Sequence, residues 1–305
     1  MAYLASRLVR FVIQTLAALV LVFVLFRLVP GNPVELLSGG LATQQQIAAV
    51  SREMGLDLSL PVQLGRYMAM AIHGNLGVSL VYSEPVTTVI LRRLPATLLL
   101  AGSAVALATV LGVAGGVYAG VHPGSRGATW LMVLWSGLLS VPNFWLGLLL
   151  VDVFAVRLHW LPAIGYGGLS ALVMPVFAVA ARLIALIAQV TRAEFEDLYR
   201  EPFVTVARAK GLSGARVIFA HVLRPATMPI VTMVGMQAGY LLGGAVVIEN
   251  VFAYPGMGQL LMSAIGTRDY PLVEGITLTF VVLFLAVNLL TDLAYAWLDP
   301  RVRYA

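Results

Sequence analysis

Residues 96–121 read ATLLLAGSAVALATVLGVAGGVYAGV, 26 residues without a charged side chain. A helix needs about 20 apolar residues to cross a hydrocarbon core roughly 30 Å thick. Arg92-Arg93-Leu94-Pro95 precedes the run and His122-Pro123-Gly124-Ser125-Arg126 follows it. This block is therefore read as a membrane span, and the rest of the chain is organised around it.

Working outward, five more blocks have the same character. They are Phe11 to Phe26, Ala128 to Val156 interrupted by Asp152, Leu169 to Thr191 interrupted by Arg182, Pro225 to Ile248, and Gly275 to about Leu298 with Asp292 near its end. Backbone polar groups in hydrocarbon must be satisfied within the segment, so each block is expected to be a helix. The expected fold is an all-α integral membrane protein with six transmembrane helices. Composition agrees: 60% of the 305 residues are hydrophobic and 11% charged, against about a quarter charged in soluble domains. The division is residues 1–30 as the first span, 31–94 as a folded extracytoplasmic helical segment, and 95–305 as a five-helix core.

Arg7 and Arg10 ahead of the first run match the layout of a secretory signal. However, Arg27 and Pro30-Gly31-Asn32-Pro33 close the run as a span would end, and no small-residue cleavage pattern follows. The chain has no cysteine, which excludes a disulfide framework and thiolate metal ligands.

Orientation follows from short-loop arginines. Arg7, Arg10, Arg126, Arg301, Arg303 and the loop bearing Arg192, Arg200, Arg208, Lys210, Arg216 and Arg224 fall on one side. The opposite short loops hold Arg157 and Arg268. Both termini are thus expected in the cytoplasm, with the protein in a cytoplasmic (inner) membrane. The net charge of +5 is explained by this asymmetry. With one lysine in the chain and no basic stripe with interleaved aromatics, a nucleic-acid partner is not expected.

Two segments exceed what a minimal six-span protein needs. In the outer one, Thr43-Gln44-Gln45-Gln46 has capping-box spacing ahead of Ile47, Val50 and Met54, predicting an amphipathic helix to about Gly55. Pro61 starts a second helix with Leu64, Tyr67, Met68 and Ala71 on one face, stopped by Gly74. Ser83-Glu84-Pro85 suits the cap of a third, with Val86, Val89 and Ile90 apolar. The segment reads either as a lid over span ends or as a docking surface on which Arg52 and Arg66 offer cations to an external partner. The two readings are compatible.

The other segment is the cytoplasmic loop at about 192–224. Glu201-Pro202 opens a short helix, Gly211 ends it, and Ser213 caps the next, leading into span five. Phe203, Val206, Ala207 and Lys210 share one side, and Ala209 and Gly211 are small enough for close approach by another protein. A helix lying flat on the membrane would carry more bulky apolar anchors. This one reads as a helix gripped from the cytoplasm.

Thr205-Val206-Ala207-Arg208-Ala209-Lys210-Gly211-Leu212-Ser213 resembles the coupling loop of permeases in ATP-binding-cassette importers, in the form of the dipeptide and oligopeptide branch. The wider pattern has Glu-Ala-Ala where Thr205, Val206 and Ala207 stand, so Ala207 and Gly211 alone match it. Further segments are similar to that branch: Phe26 to Pro33, Gly55-Leu56-Asp57, Arg93 to Leu98, Val141-Pro142-Asn143-Phe144-Trp145-Leu146-Gly147, Glu249 to Gly258, and Leu298 to Tyr304. Their order and the long outer segment are similar to the first of the two permease types. The resemblance implies coupling to an ATPase through Phe203, Val206, Ala207, Arg208, Ala209, Lys210 and Gly211. It also implies a second homologous permease, two cytoplasmic ATP-binding-cassette subunits that hold ATP and magnesium, and an external substrate-binding protein. Dipeptides or oligopeptides are the implied substrates, with nickel chelates or glutathione as alternatives.

The residues are consistent with a non-catalytic subunit. No Gly-Lys-Ser or Gly-Lys-Thr occurs, so a phosphate loop and a nucleotide cofactor in this chain are not expected. His73, His122, His159 and His221 lie on separate loops without metal-ligand spacing, arguing against a membrane enzyme. An ion-coupled secondary transporter would show internal repeats with broken helices, and none is legible. Close packing and bending are expected from Gly112, Gly115 and Gly116, from Gly235, Gly239, Gly243 and Gly244, and from Pro142.

Charges within spans are functional suspects. Arg27, Asp152 and Asp292 sit near span ends, where a long side chain reaches the interface. Arg182 is deeper, with a paired or a pore-facing role open to it. Asn143 and Gln237, polar at mid-span, either line the translocation path or bond a neighbouring helix.

Overall fold

The computed structural model describes residues 2–28, 45, 52, 57–164 and 167–298. The elements are α1 (Ala2–Leu28), α2 (Leu60–Ile72), α3 (Val86–Val121), α4 (Arg126–Ser140) and α5 (Asn143–Leu150), which continues as a π-helical turn, Val151–Arg157. Then follow α6 (Leu169–Leu198), α7 (Pro202–Ala209), the single turn α8 (Gly214–Arg216) with a π-helical turn Val217–Val222, α9 (Leu223–Val251), α10 (Met257–Gly266) and α11 (Tyr270–Leu298). Among the described residues the extended structure is one isolated bridge, Val78 to Pro85. The chain is an all-α membrane protein.

Five helices are long and apolar enough to span: α1, α3, α6, the continuous rod Gly214–Val251, and α11. The expected third span is different. Its two halves, Arg126–Ser140 and Asn143–Arg157, meet at 107°. Proline fixes its own φ and disfavours the α region for the residue before it, and Val141 accordingly has extended backbone (ψ 124°) ahead of Pro142. Six spans are counted only if this bent pair is one of them.

The 36 residues of α3 would extend about 54 Å at 1.5 Å per residue. The helix begins ten residues before the apolar run and passes through Pro95. The separate third outer helix expected at Ser83-Glu84-Pro85 is therefore the first turns of α3, continuous with span two across position 95. Ser83 does not cap it: its φ is +54°, and Pro85 is the residue before the helix. The second outer helix forms as expected, with Pro61 in its first turn. Gly74 at φ +75° closes it while its amide donates to Ala71 O and the Asn75 amide to Met70 O. Apart from Gln45 and Arg52, the capping box at 43–46 and the helix it would start lie outside the described residues, as do the motif residues 299–304.

The core is a parallel seam between α3 and α6. Gly112, Gly116 and Gly120 recur every four residues and so share one face. A Cβ at each would run into Ile187, Thr191 and Phe195 in turn, which also recur every four residues. Small residues let the backbones approach, and van der Waals packing replaces the hydrophobic drive that lipid removes. Gly115, turned to another side, faces the Trp135 ring of α4. In α9, Gly235 and Gly239 seat Thr291 and Phe284 of antiparallel α11, whereas Gly243 and Gly244, expected to pack likewise, have nothing near.

Candidate functional site

Three places could carry function: the loop helix α7, the polar residues inside the spans, and the end of the bundle built by α2 and α10.

Glu201-Pro202 starts α7 as expected, and the helix ends in a Schellman arrangement. Gly211 is at φ +80°, its amide donates to Arg208 O at 2.9 Å, and the Leu212 amide donates to Ala207 O at 3.3 Å. Val204 and Ala207 are buried with Phe195, Val217 and Val222, so α7 is clamped between the end of α6 and the π-helical turn that leads into α9. This corrects the expected common face: Ala207 points into the body, while Phe203, Val206, Arg208, Ala209, Lys210 and Gly211 are exposed. The Arg208 guanidinium lies 4.4 Å from the centre of the Tyr199 ring. Ser213 begins the next helix without a side-chain cap bond.

Asn143, Arg182 and Gln237, taken from three different spans of the sequence, line one cavity of about 390 Å3 together with Leu183, Tyr240 and Gly244. The bend at Pro142 puts Asn143 at the start of α5, while Arg182 and Gln237 stand near the midpoints of α6 and α9. Among the described residues the Asn143 and Gln237 side chains make no hydrogen bond, and both face the cavity. Arg182 is exposed on the otherwise largely buried α6 and has no acidic partner among the described residues. Arginine at a helix centre costs about 2.5–3.5 kcal/mol on insertion scales unless it meets water or a partner.

The charges nearer span ends are each engaged. Arg7 pairs with Asp292 at 2.9 Å, joining the start of α1 to the end of α11. Arg157 pairs with Asp152 at 2.8 Å. Arg27 donates from Nε to Gln63 Oε1 at 2.9 Å and stacks 4.8 Å from the Phe23 ring centre, docking α2 on α1. Gln63 is the buried residue of α2, beside the expected apolar face of Leu64, Tyr67, Met68 and Ala71. Burial and the neighbouring Glu274 push the Tyr67 phenol up, against a smaller opposing effect of Arg27. Arg52 and Arg66 are both exposed.

Two buried carboxylates had no sequence signal of their function. Glu249 accepts from Thr97 Oγ1 at 2.7 Å and from the amides of Gly258 and Gln259 at 2.6 and 3.1 Å. It thereby satisfies donors at the start of α10 that have no intrahelical acceptor. Thr97 Oγ1 accepts in turn from the Met257 amide, and Tyr254 Oη donates to Ala96 O. Gly256 and Gly258 leave space that a Cβ would take from the Glu249 carboxylate. Asp269 accepts from Ser79 Oγ at 2.5 Å and from the amides of Leu80, Val81 and Leu272, stapling the loop before α3 to the start of α11. The Glu249–Gly258 motif thus fastens α3, α9 and α10.

No group of three or more metal-binding side chains occurs among the described residues.

Residues 112–304 match the family described as binding-protein-dependent transport system inner membrane component, and residues 1–101 match its N-terminal region. The glutathione transport system permease protein GsiC of Escherichia coli is 37% identical over 302 residues, covering 99% of both chains. The protein of the same name from Salmonella paratyphi A is 38% identical over the same length and coverage. A chain of the MetNI methionine ABC transporter, solved in inward-facing conformations, has the same fold: TM-score 0.55 at 18% identity, covering 69% of this chain and 96% of that one. The chain belongs to the family of binding-protein-dependent transport system inner membrane components, as a multi-pass membrane permease subunit of an ABC importer of the peptide and nickel branch.

Proposed function

We propose that this permease takes up small peptides, with peptide-like glutathione inside that class, and that α7 transmits the work of ATP. The observation that carries the coupling role is the mounting of α7: two residues, Val204 and Ala207, hold it against α6 and the π-helical turn before α9, and the rest of its surface is open. A helix fixed on one side and free on the other moves as a unit with whatever grips it. Phe203, Val206, Arg208, Ala209, Lys210 and Gly211 form the gripped surface, with Ala207 as its anchor.

In this reading the chain pairs with a second homologous permease. Two cytoplasmic ATPase subunits hold ATP and magnesium, and an external binding protein delivers substrate to the segment at 31–94. Both termini and α7 face the cytoplasm, as the arginine asymmetry supports. The 1–30, 31–94 and 95–305 segments then act as anchor, outer cap and permease core, with coupling through about 192–224. Asn143, Arg182 and Gln237 line the path, and Arg52 and Arg66 meet the binding protein. The relatives' names favour glutathione; nickel chelates are the other member of the branch to test.

Co-reconstitution of the full complex in proteoliposomes tests this. ATP-driven accumulation of glutathione or a tripeptide, lost when the ATPase subunits or the binding protein are omitted, is the expected result. Accumulation driven by an ion gradient without ATP would overturn it.

A further inference from the structure

We propose that Arg182 is a carboxylate-binding waypoint midway across the membrane, so that this half of the importer passes substrates by their negative charge. The inference rests on reading the Asn143, Arg182 and Gln237 cavity as the path, and adds the chemistry of what it recognises.

Arg182 is the only charged residue among those lining the cavity, which has about 390 Å3 of space. In the same helix Arg192 is engaged by Glu196, and in α1 Arg7 and Arg27 are engaged by Asp292 and Gln63. Arg182 has neither carboxylate nor hydrogen-bond acceptor among the described residues. An arginine cannot shed its proton to escape an apolar setting. Its five donors must find water or an anion, and a planar guanidinium matches a carboxylate in two parallel hydrogen bonds. The nearby Asn143 and Gln237 supply neutral donors and acceptors that suit a peptide backbone, and they do not neutralise the cation. A cation without a fixed counter-ion attracts an anionic group and also releases it, as a waypoint requires.

The absence of cysteine makes a direct test possible. Asn143→Cys is introduced in the assembled transporter, with Arg182 intact or replaced by Lys or Gln. The thiol is then modified with an alkylthiosulfonate reagent carrying either a sulfonate or a trimethylammonium group, and reaction of the cysteine-free chain in the same complex is subtracted as background. With Arg182 or Arg182→Lys the sulfonate form is expected to react about tenfold faster relative to the ammonium form than with Arg182→Gln. Trialanine, but not its C-terminal amide, is expected to slow the sulfonate reaction when the charge is present.

Failure of both reagents to react would show a dry site and overturn the waypoint. A charge ratio indifferent to Arg182→Gln would show that a neighbouring subunit neutralises the guanidinium, and would overturn it too. Equal protection by trialanine and its amide would remove the carboxylate preference. None of these outcomes decides whether ATP-driven uptake occurs, which the proteoliposome assay measures separately.

Discussion

Thr97 and Glu249, 152 residues apart, share a buried hydrogen bond of 2.7 Å that ties α3 to the last turn of α9. The hydroxyl is used twice, donating to the carboxylate and accepting from the Met257 amide at 2.8 Å. Neither residue is exposed at all. Glu249 therefore belongs to the scaffold.

Thr97→Val keeps the shape and removes both bonds, leaving a buried amide and one carboxylate site unsatisfied. Each such loss costs about 1–3 kcal/mol. The thermal unfolding midpoint of the purified complex in detergent is expected to fall, and Thr97→Ser to restore most of it. An unchanged midpoint for the valine variant would remove the structural role assigned to this pair.

The α3–α6 seam has no slack at Gly116. A Cβ there would lie 2.7 Å from Ala188 O and 2.5 Å from Thr191 Cβ, so the backbones must separate. Gly116→Val is expected to cost at least the ~1–3 kcal/mol typical of overpacking, and to reduce the yield of folded chain. Gly102→Ala in the same helix, where the added methyl meets nothing within 4 Å, is expected to express normally. Comparing the two by size-exclusion profile separates close packing from a general intolerance of glycine replacement.

Gly211 differs from Gly116 in kind. Nothing lies within 4 Å of its added Cβ, so the requirement is its φ of +80°. An L-residue pays about 1–2 kcal/mol in the left-handed region. Gly211→Val is therefore expected to insert and assemble, while uptake and transport-stimulated ATP hydrolysis both fall. Both rates unchanged in normally assembled complexes would show that α7 is not the coupling element.

Arg52 and Arg66 are exposed. Exposed charges act chiefly on association rate and its salt dependence. Reversal of both to Glu is expected to slow binding of the external protein in nanodiscs and to flatten the salt dependence. Rates indifferent to the reversal would leave the outer segment as a lid.

The sequence by itself determined five of the expected spans, because hydrocarbon demands a set length of apolar residues and each helix meets its own backbone needs. It also determined the ends of α7, since Pro202 and Gly211 act through local backbone geometry. Tertiary structure decided everything that depends on which helix stands beside which. The signal for Pro142 was visible, but the 107° bend was not. The burial of Ala207 depends on Phe195 and Val217, which are remote from it in helical register. Glu249 reads as one polar residue at a span's end until α10 folds back to present its amides. The convergence of Asn143, Arg182 and Gln237 follows from the packing of α5, α6 and α9, and periodicity within a single helix carries no information about its neighbours.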